Sequence, residues 1–518
     1  MKGLPAETDF VVIGAGVAGL RAAIELAVAG RVLVLAKKDI PSLPAQPAEP
    51  APLGDEDEVS LHLQDTLSSG DGLSNPAAVK ILVEEGIEGI EELIGWAAQL
   101  DRHGTRMTFG MEGARMHNRI LHAQGEFLGT EILRALYAKA HSLKHISFAS
   151  YAFPTELICD SGRVAGVSLL DEKGVPQGVA CATVLLATGG MGQIYRNTTN
   201  PETATGDGVS LALRAGAELS DMEFVQFHPT VLYMKKAPRF LLSEALRREG
   251  AYLRNIELNR FLGKYHPMGE LAPRDVVARA IMHEMEVSQA KDPFVYLDLT
   301  HLDAAKVRKR LHRVYATCMH YNLDITEDLI PVRPAAHYAM GGVRTDFDGK
   351  TNILGLYAAG EAAASGVHGA NRLPGNALLE ALVYGARAGK AMRQDAKPAR
   401  TPTQPKAAYS NGPVDVGIEE IIGQIQDAMW NDVGIVRTRT GMQRAIKTLE
   451  QLAPKIAHPK TRRTYEAFNL HLTAMSVARS AVAREESRGA HYRMDYPDHD
   501  DRKFLKHSVV KSDRVLFV

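Results

Sequence analysis

The first forty residues contain two short apolar runs separated by a stretch of helical spacing. Phe10 to Ile13 is uninterrupted and apolar, a glycine-rich turn and an alanine-rich segment follow, and a second apolar run covers Val32 to Leu35. Short continuous apolar runs are typical of strands that are buried on both faces of a parallel sheet. The pattern therefore predicts a strand, a helix and a second, parallel strand.

The turn after the first run has the spacing Gly14-x-Gly16-x-x-Gly19. In a dinucleotide site the first glycine permits the tight turn, the second lets the backbone approach a pyrophosphate, and the third lets the helix pack on the strand. The alternative is a chance glycine turn, but strands are predicted on both sides. We therefore predict a phosphate site at the start of the helix, formed by Gly14, Ala15, Gly16, Val17, Ala18 and Gly19.

A second apolar strand with a glycine ending lies further along the chain. Residues 146–186 alternate between apolar and polar positions around glycine-containing turns, which predicts a β-meander that ends in a buried strand. That strand meets Thr188, Gly189 and Gly190. We interpret this ending as a second backbone approach to the same cofactor; the alternative is an ordinary strand-ending turn.

The chain changes character twice more. Charged helical stretches interrupt the strand pattern between Asp221 and Tyr338, which favours an inserted domain, and the strand, glycine turn and helix pattern resumes over residues 352–392. A segment rich in proline, serine and glycine follows at 398–415 and predicts a linker. The remainder has apolar residues at helical spacing, and we predict a helical domain.

Composition narrows the classes of partner. Lys+Arg 60 against Asp+Glu 61 leaves a net charge of -1, so no global field attracts nucleic acid or an anionic membrane. The N-terminus lacks the apolar core of a signal peptide, and no apolar run approaches the roughly 20 residues of a membrane span, so we expect a soluble, cytoplasmic protein. The three cysteines are far apart in the sequence, and we expect no metal site.

Four basic residues stand beside turns that are rich in glycine or proline: His228, Arg274, His337 and Arg372. Each has an ordinary explanation, a helix cap or salt bridge for Arg274 and a buried core position for the histidines. Together they suit a dicarboxylate, because arginine binds carboxylates bidentately and histidine adds hydrogen bonds. The sequence spacing alone leaves open whether they converge.

The ordered motifs "VVIGAGVAGL", "LLATGG", "TGDG", "MEFVQFHPT", "LAPRDVVARAI", "PVRPAAHYAMGG", "GLYAAGEAAASGVHGANRL", "NDVGIVRT" and "ESRGAHYRMDYP" cover nearly the whole chain. In these motifs the sequence resembles the L-aspartate oxidases, within the larger group of succinate dehydrogenase and fumarate reductase flavoproteins. The resemblance implies an α/β fold: a Rossmann-like FAD-binding domain at 1–222 and 338–398, an inserted α+β capping domain at 223–337, and a C-terminal helical domain at 410–518.

The resemblance also implies roles for particular residues. Arg274 corresponds to a proton-transfer residue, and His228, His337 and Arg372 correspond to residues that hold substrate carboxylates. Gln226 and Ser243 would line the same cavity, and Glu112 falls where the family has an acid that binds the substrate amino group. Besides the glycine turns, the implied FAD contacts are Lys37, Gln46, Asp207, Glu361, Asn376, Ala377 and Leu378.

The chain departs from the family pattern in its early loop. The position of the histidine that bonds covalently to FAD in the succinate dehydrogenase group is Pro41, so we expect noncovalent FAD. Pro47, Pro50 and Pro52 replace a glycine-containing stretch and carry no N–H, so we expect this loop to hold FAD weakly. Two further departures, Ala114-Arg115-Met116 and Pro374 to Ala377, lie where the family binds substrate or flavin.

The function implied by the resemblance is FAD-dependent oxidation of L-aspartate to iminoaspartate, with oxygen or fumarate as acceptor. In the family, iminoaspartate passes to quinolinate synthase for the synthesis of NAD. Two alternatives stay open at this point: a fumarate reductase or succinate dehydrogenase type of flavoprotein, and a non-catalytic relative whose flavin loop has degraded.

Overall fold

The computed structural model describes residues 4–39, 56–98, 128–235, 237, 239–395 and 417–518, with four two-residue strands between 102 and 121. The helices described are α1 (Val17–Leu26), α2 (Glu56–Ser69), α3 (Pro76–Gly95), α4 (Leu128–His141), α5 (Asp207–Arg214), α6 (Ala245–Arg248), α7 (Arg274–Val287), α8 (Ala304–Arg310), α9 (His312–His320), α10 (Asn376–Asp395), α11 (Ile418–Asp432), α12 (Arg439–Ile456), α13 (Arg462–Ala483) and α14 (Asp501–Phe504). In the described part of the chain, no helix combines the length and the apolar composition that a membrane crossing requires.

The strands described are β1 (Phe10–Ile13), β2 (Val32–Leu35), β3 (Arg102–His103), β4 (Arg106–Met107), β5 (Phe109–Gly110), β6 (Ile120–Leu121), β7 (Ile146–Ala149), β8 (Phe153–Asp160), β9 (Arg163–Leu170), β10 (Pro176–Ala180), β11 (Thr183–Leu186), β12 (Leu219–Ser220), β13 (Val225–Leu232), β14 (Tyr252–Arg254), β15 (Val295–Asp298), β16 (Ile330–Ala339), β17 (Gly342–Arg344), β18 (Leu356–Ala358), β19 (Ala363–Ala364), β20 (Ser508–Lys511) and β21 (Arg514–Phe517).

A parallel sheet lies at the centre, in the order β18-β11-β1-β2-β7. Its two faces are covered by different layers. Val11 and Leu33 face a core that includes the β8-β9-β10 meander and the C-terminal helices. Val12 and Val34 face a second core that includes α1, α3, α4 and α10. Burial on both faces explains why the strands are continuous apolar runs in the sequence.

A second, antiparallel sheet contains Gln226, His228 and His337. Strands β13, β16, β15 and β14 form an antiparallel sheet in that order, with Gln226 of β13 opposite Tyr338 of β16. A separate hydrophobic core with α7 to α9 lies on this sheet and is formed by residues between 232 and 332. The sheet thereby holds β13 and β16 next to each other between this core and the central one.

The C-terminal part departs from the expectation of a helical domain in its last residues. Helices α11, α12 and α13 contribute to the first core, and the chain then ends in the hairpin of β20 and β21, which pairs with β12. Two short runs rich in apolar residues around the two-residue turn at Ser512 favour a hairpin, and Ser512 has the positive φ of 55° that such a turn uses. Helical spacing in the preceding residues gave no indication of it.

Candidate active site

A cavity of about 360 Å³ opens at the carboxyl ends of the central parallel strands. Ile13, Leu35, Ala187 and Ala359, which end or follow β1, β2, β11 and β18, all line it. Carboxyl ends of parallel strands are where α/β sheets bind nucleotides. Of the residues expected to contact a cofactor, those that line this cavity are Gly14, Ala15, Gly16, Val17, Ala18, Lys37, Thr188, Gly189, Asp207, Glu361 and Leu378.

The three glycines of the first turn have different structural roles. Gly14 has φ +117°, and a Cβ there would lie 2.0 Å from the carbonyl oxygen of Ala187. A Cβ at Gly19 would lie 2.0 Å from the carbonyl oxygen of Gly14, so this glycine permits the close packing of α1 and does not line the cavity. A Cβ at Gly16 would meet no atom within 4 Å. The backbone at Gly16, at the start of α1, is therefore open for a phosphate group.

Lys37, at the end of β2, takes part in a buried polar network. Its Nζ lies 2.8 Å from Asp207 Oδ2 and 3.1 Å from Glu466 Oε1, and it donates to Thr205 Oγ1 at 2.6 Å. Asn469 also donates to Asp207, at 2.8 Å. The C-terminal helix α13 therefore supplies two residues, Glu466 and Asn469, that hold Lys37 and Asp207 in the wall of the cavity. Dinucleotide folds bind the adenosine ribose close to the end of the second strand, which Lys37 follows.

Glu361 also lines the cavity. Its Oε1 accepts a hydrogen bond of 3.1 Å from the Ala339 N–H, and a Cβ at Gly190 would lie 2.2 Å from the same oxygen. Gly190 thus makes room for this carboxyl group instead of lining the cavity. Burial, opposed by the Ala339 hydrogen bond and the charge of Arg372, raises the pKa of Glu361 to about 7.

Helix α10 begins beside the cavity. Leu378 lines it, whereas Ala377 packs in a small cluster with Tyr338. The Asn376 side chain contacts α2, where its Oδ1 lies 2.8 Å from His62 Nε2 and its Nδ2 donates to Thr66 Oγ1 at 2.9 Å. Asn376 therefore anchors the start of α10 with its side chain, and its backbone N–H donates to the Leu373 carbonyl oxygen at 3.3 Å.

The two arginines of interest meet at Gln226. Arg274 Nη1 and Arg372 Nη2 both donate to Gln226 Oε1, at 3.4 and 3.0 Å. Gln226 Nε2 donates to the carbonyl oxygen of Arg372 at 2.8 Å and to Asn371 Oδ1 at 2.9 Å. Arg274, Arg372 and Gln226 are 5%, 2% and 2% exposed. Gln226 therefore holds the two guanidinium groups together, a more specific position than the sequence suggested.

The two histidines lie on the strands that flank this pair. The rings of His228 and His337 are 5.6 Å apart between centroids. His228 Nδ1 accepts the Thr230 N–H at 3.3 Å, which leaves the proton of a neutral ring on Nε2. His337 Nδ1 lies 2.9 Å from Thr199 Oγ1. Strands β13 and β16 thus bring the histidines and the arginine pair into one region.

Glu244 is a member of the site that sequence reasoning missed. Its Oε2 accepts from Arg274 Nε at 3.2 Å, and its carboxylate also lies 3.7 Å from Arg247 and 3.6 Å from Arg248. Burial alone would raise the pKa of Glu244, but the charges of Arg247, Arg274 and Arg248 outweigh it and lower that pKa. The adjacent Ser243 Oγ is buried without a hydrogen-bond partner among the described residues. The run "SEALRRE" offered the signal, an acid followed by two arginines.

Two predicted contacts, Gln46 and Glu112, lie outside the described residues, as do the proline-rich loop at 42–54 and Ala114 to Met116. Within the described ranges, no group of three or more His, Cys, Asp or Glu side chains is arranged to hold a metal ion.

The chain is similar to known proteins over nearly its whole length. A family model described as an FAD binding domain matches residues 9–378, and one described as fumarate reductase flavoprotein C-term matches 423–516. The chain is 41% identical to L-aspartate oxidase of Streptomyces coelicolor, over 98% of this chain and 93% of that protein. It is 36% identical to L-aspartate oxidase of Synechocystis sp., over 98% and 97%. A variant of FrdA of Escherichia coli quinol fumarate reductase superposes with a TM-score of 0.90 at 31% identity, over 99% of this chain and 96% of that one. The chain therefore belongs to the L-aspartate oxidase family of FAD-binding flavoproteins.

Proposed function

We propose that this chain oxidises L-aspartate to iminoaspartate with FAD as its cofactor. The observation that carries the proposal is the pair of buried arginines, Arg274 and Arg372, which share Gln226 beside the two histidines. Buried guanidinium groups recognise carboxylates through charge-assisted hydrogen bonds. Two of them, with histidine donors nearby, fit a substrate that carries two carboxylates.

The cavity fits FAD. Its volume is within the range of about 300 to 1,000 Å³ that is usual for small-molecule sites. The open backbone at Gly16 and Gly189 leaves space at two strand ends, where a Cβ would meet no atom within 4 Å. When bound, FAD supplies the acceptor for the hydride that leaves the substrate Cα. The Gly14 to Ala18 turn would hold its pyrophosphate, and the Lys37 and Asp207 network would hold the adenosine end.

Different polar residues would bind the substrate and transfer its proton. We propose that Arg372 and the two histidines bind carboxylates, and burial would strengthen these interactions by excluding water. Arg274 is held between Gln226 and Glu244. A protonated guanidinium has no acceptor site, so Arg274 would take a proton from the substrate only after it has passed one of its own to the Glu244 carboxylate, 3.2 Å away. Glu112, which would bind the substrate ammonium group, is proposed for that role on the family resemblance alone.

The test is a comparison of substrates with the FAD-loaded protein. We expect L-aspartate to give hydrogen peroxide when oxygen is the acceptor and succinate when fumarate is the acceptor, with iminoaspartate detected as the oxaloacetate and ammonia that its hydrolysis releases. Oxidation of succinate without oxidation of aspartate would assign the chain to the succinate dehydrogenase type of reaction. A protein that binds no FAD would support the non-catalytic alternative.

The instability of the product indicates what kind of reaction must follow. An imine hydrolyses in water, so an enzyme that consumes it must act soon after release. We propose that quinolinate synthase takes up iminoaspartate in the cytoplasm, as part of NAD biosynthesis. Reconstitution with quinolinate synthase tests this. In the presence of the three-carbon co-substrate that is needed to convert the four carbons of iminoaspartate into the seven of quinolinate, quinolinate should form from aspartate only when both proteins are present.

A further inference from the structure

The guanidinium of Arg372 rests on the ring of Tyr338. Arg372 Cζ lies 4.5 Å from the ring centroid, and the two residues are 2% and 7% exposed. Arg372 Nη2 also donates to Gln226, so its plane is held at one face and at one edge. Because a guanidinium binds a carboxylate with N–H groups in its own plane, whatever fixes that plane fixes the direction of carboxylate binding.

The hydroxyl of Tyr338 is held by hydrogen bonds that do not involve Arg372. It donates to Glu380 Oε2 at 2.7 Å, and the same oxygen lies 3.0 Å from His368 Nε2. Ser365 Oγ donates to the other oxygen of Glu380. Tyr338 comes from β16, Glu380 from α10, and Ser365 and His368 from the segment that leads to Arg372. A tilt of the ring would therefore break the Tyr338–Glu380 hydrogen bond, which belongs to a cluster that joins β16, α10 and the 365–372 segment.

Burial and the charges of this cluster keep the tyrosine neutral. Burial, followed by the charges of Glu380 and Glu361, raises the pKa of Tyr338 well above its ordinary value. Burial alone would raise the pKa of Glu380, but the charge and hydrogen bond of His368, with those from Ser365 and Tyr338, outweigh it and lower that pKa. Glu380 is thus a carboxylate that accepts, and Tyr338 is a phenol that donates.

We propose that Tyr338 is a positioning residue, which sets the plane of the Arg372 guanidinium for binding one carboxylate of the substrate. The identity of that substrate rests on the proposed function. Tyr338 packs among apolar residues, including Phe224 and Met340, so a leucine or methionine would fill much of its volume. Neither would supply the aromatic face that attracts a cation.

The experiment measures binding without turnover. Succinate, a dicarboxylate without an amino group, is titrated into the FAD-loaded protein while the flavin absorbance is followed. The variants are Tyr338→Leu, Tyr338→Met and Tyr338→Phe. The matched control is Tyr384→Leu, because Tyr384 is also buried, at 2% exposed, and its hydroxyl donates to the Ala78 carbonyl oxygen at 3.0 Å, away from Arg372. FAD affinity and the melting temperature are measured for each, with KM and kcat for aspartate.

We expect Tyr338→Leu and Tyr338→Met to raise the succinate Kd and the aspartate KM by about ten-fold, within the range of a desolvated cation–π contact. FAD affinity should stay unchanged, and kcat should change less than KM. Tyr338→Phe keeps the ring and should stay within about three-fold, because the hydroxyl that it removes bonds Glu380 and not Arg372. Tyr384→Leu should lower the melting temperature without a change in succinate Kd.

Three results would overturn the proposal. Unchanged succinate Kd in both aliphatic variants would show that the ring does not position Arg372. A loss in Tyr338→Phe as large as in Tyr338→Leu would assign the effect to the hydroxyl. Failure of both aliphatic variants to retain FAD would make Tyr338 a cofactor-site or folding residue. If the unmodified protein does not oxidise aspartate, the proposed function fails, while the succinate titrations still decide the role of Tyr338.

Discussion

Substitution of two neighbouring glycines by alanine should separate cofactor binding from folding. Gly16 has φ -82° and ψ -173°, an extended conformation that alanine adopts freely, and a Cβ there would meet no atom within 4 Å. Gly14 has φ +117°, and its Cβ would lie 2.0 Å from the Ala187 carbonyl oxygen. Both residues line the cavity.

The two effects have different magnitudes. Gly16→Ala should leave the apo-protein as stable as before or more stable by about 0.4–1 kcal/mol, because alanine restricts the unfolded chain. Its methyl group stands where a pyrophosphate would approach the backbone, and loss of one hydrogen bond to a charged group, about 1.5–3 kcal/mol, weakens FAD binding by roughly 10- to 100-fold. Gly14→Ala combines positive-φ strain of about 1–2 kcal/mol with overpacking of about 1–3 kcal/mol, so it should destabilise the fold itself.

The assay uses apo-protein titrated with FAD, followed by quenching of FAD fluorescence, and thermal unfolding in the absence of FAD. Gly95→Ala is the matched control, because Gly95 ends α3 and its Cβ would also meet no atom within 4 Å. Unchanged FAD affinity in Gly16→Ala would refute the placement of the pyrophosphate. Normal stability of Gly14→Ala would refute the account of the turn.

Four further outcomes are expected. Arg274→Leu should lower aspartate turnover by roughly 100- to 10,000-fold with normal FAD content, whereas Arg279→Leu on the same helix should not; parallel losses of turnover and FAD would contradict the proton-transfer role. Arg372→Ala should raise the aspartate KM and the succinate Kd by at least about ten-fold, and a loss confined to FAD affinity would place this residue elsewhere. The hydrogen bond to Asp221 and the charge of Asp221 raise the pKa of His507. The stability that this pair contributes should therefore be complete below the ordinary histidine pKa of about 6.5 and be lost as pH rises through the raised pKa of His507. His507→Gln should abolish this dependence of the melting temperature on pH. Acid precipitation should leave all FAD in the supernatant, and yellow colour in the pellet would contradict noncovalent binding.

The cofactor-binding half of the site was predictable because its determinants are local. A strand, a glycine turn and a helix follow one another within thirty residues, and the apolar pattern of β1 and β2 requires burial on both faces. The adenosine end was less predictable. Lys37 stands where an acid is usual, and the sequence does not show that Asp207 and Glu466 pair with it, because these residues are distant along the chain.

The substrate half depended on the family resemblance for its residues and on the structure for their partners. His228 and Arg274 were identifiable as residue types, but the spacing of single residues says nothing about which of them share an acceptor. Gln226 in β13 and Glu244, directly before α6, both accept hydrogen bonds from Arg274 of α7. These contacts could not be predicted from the sequence because the three residues lie in different parts of the chain. Tyr338 follows His337 directly, yet in sequence a buried tyrosine in a strand is indistinguishable from ordinary core.

The charges around Glu244 indicate why the site should prefer a dicarboxylate. One buried carboxylate is shared among Arg247, Arg248 and Arg274, and burial, with the charges of the two other arginines, lowers the pKa of Arg247 despite the carboxylate beside it. Arg372 adds a further cation through Gln226. A ligand with two carboxylates supplies the negative charge that this cluster lacks, whereas a monocarboxylate leaves part of it uncompensated. Succinate should therefore raise the melting temperature of the FAD-loaded protein more than butyrate at the same concentration, and equal shifts would show that the second carboxylate is not recognised.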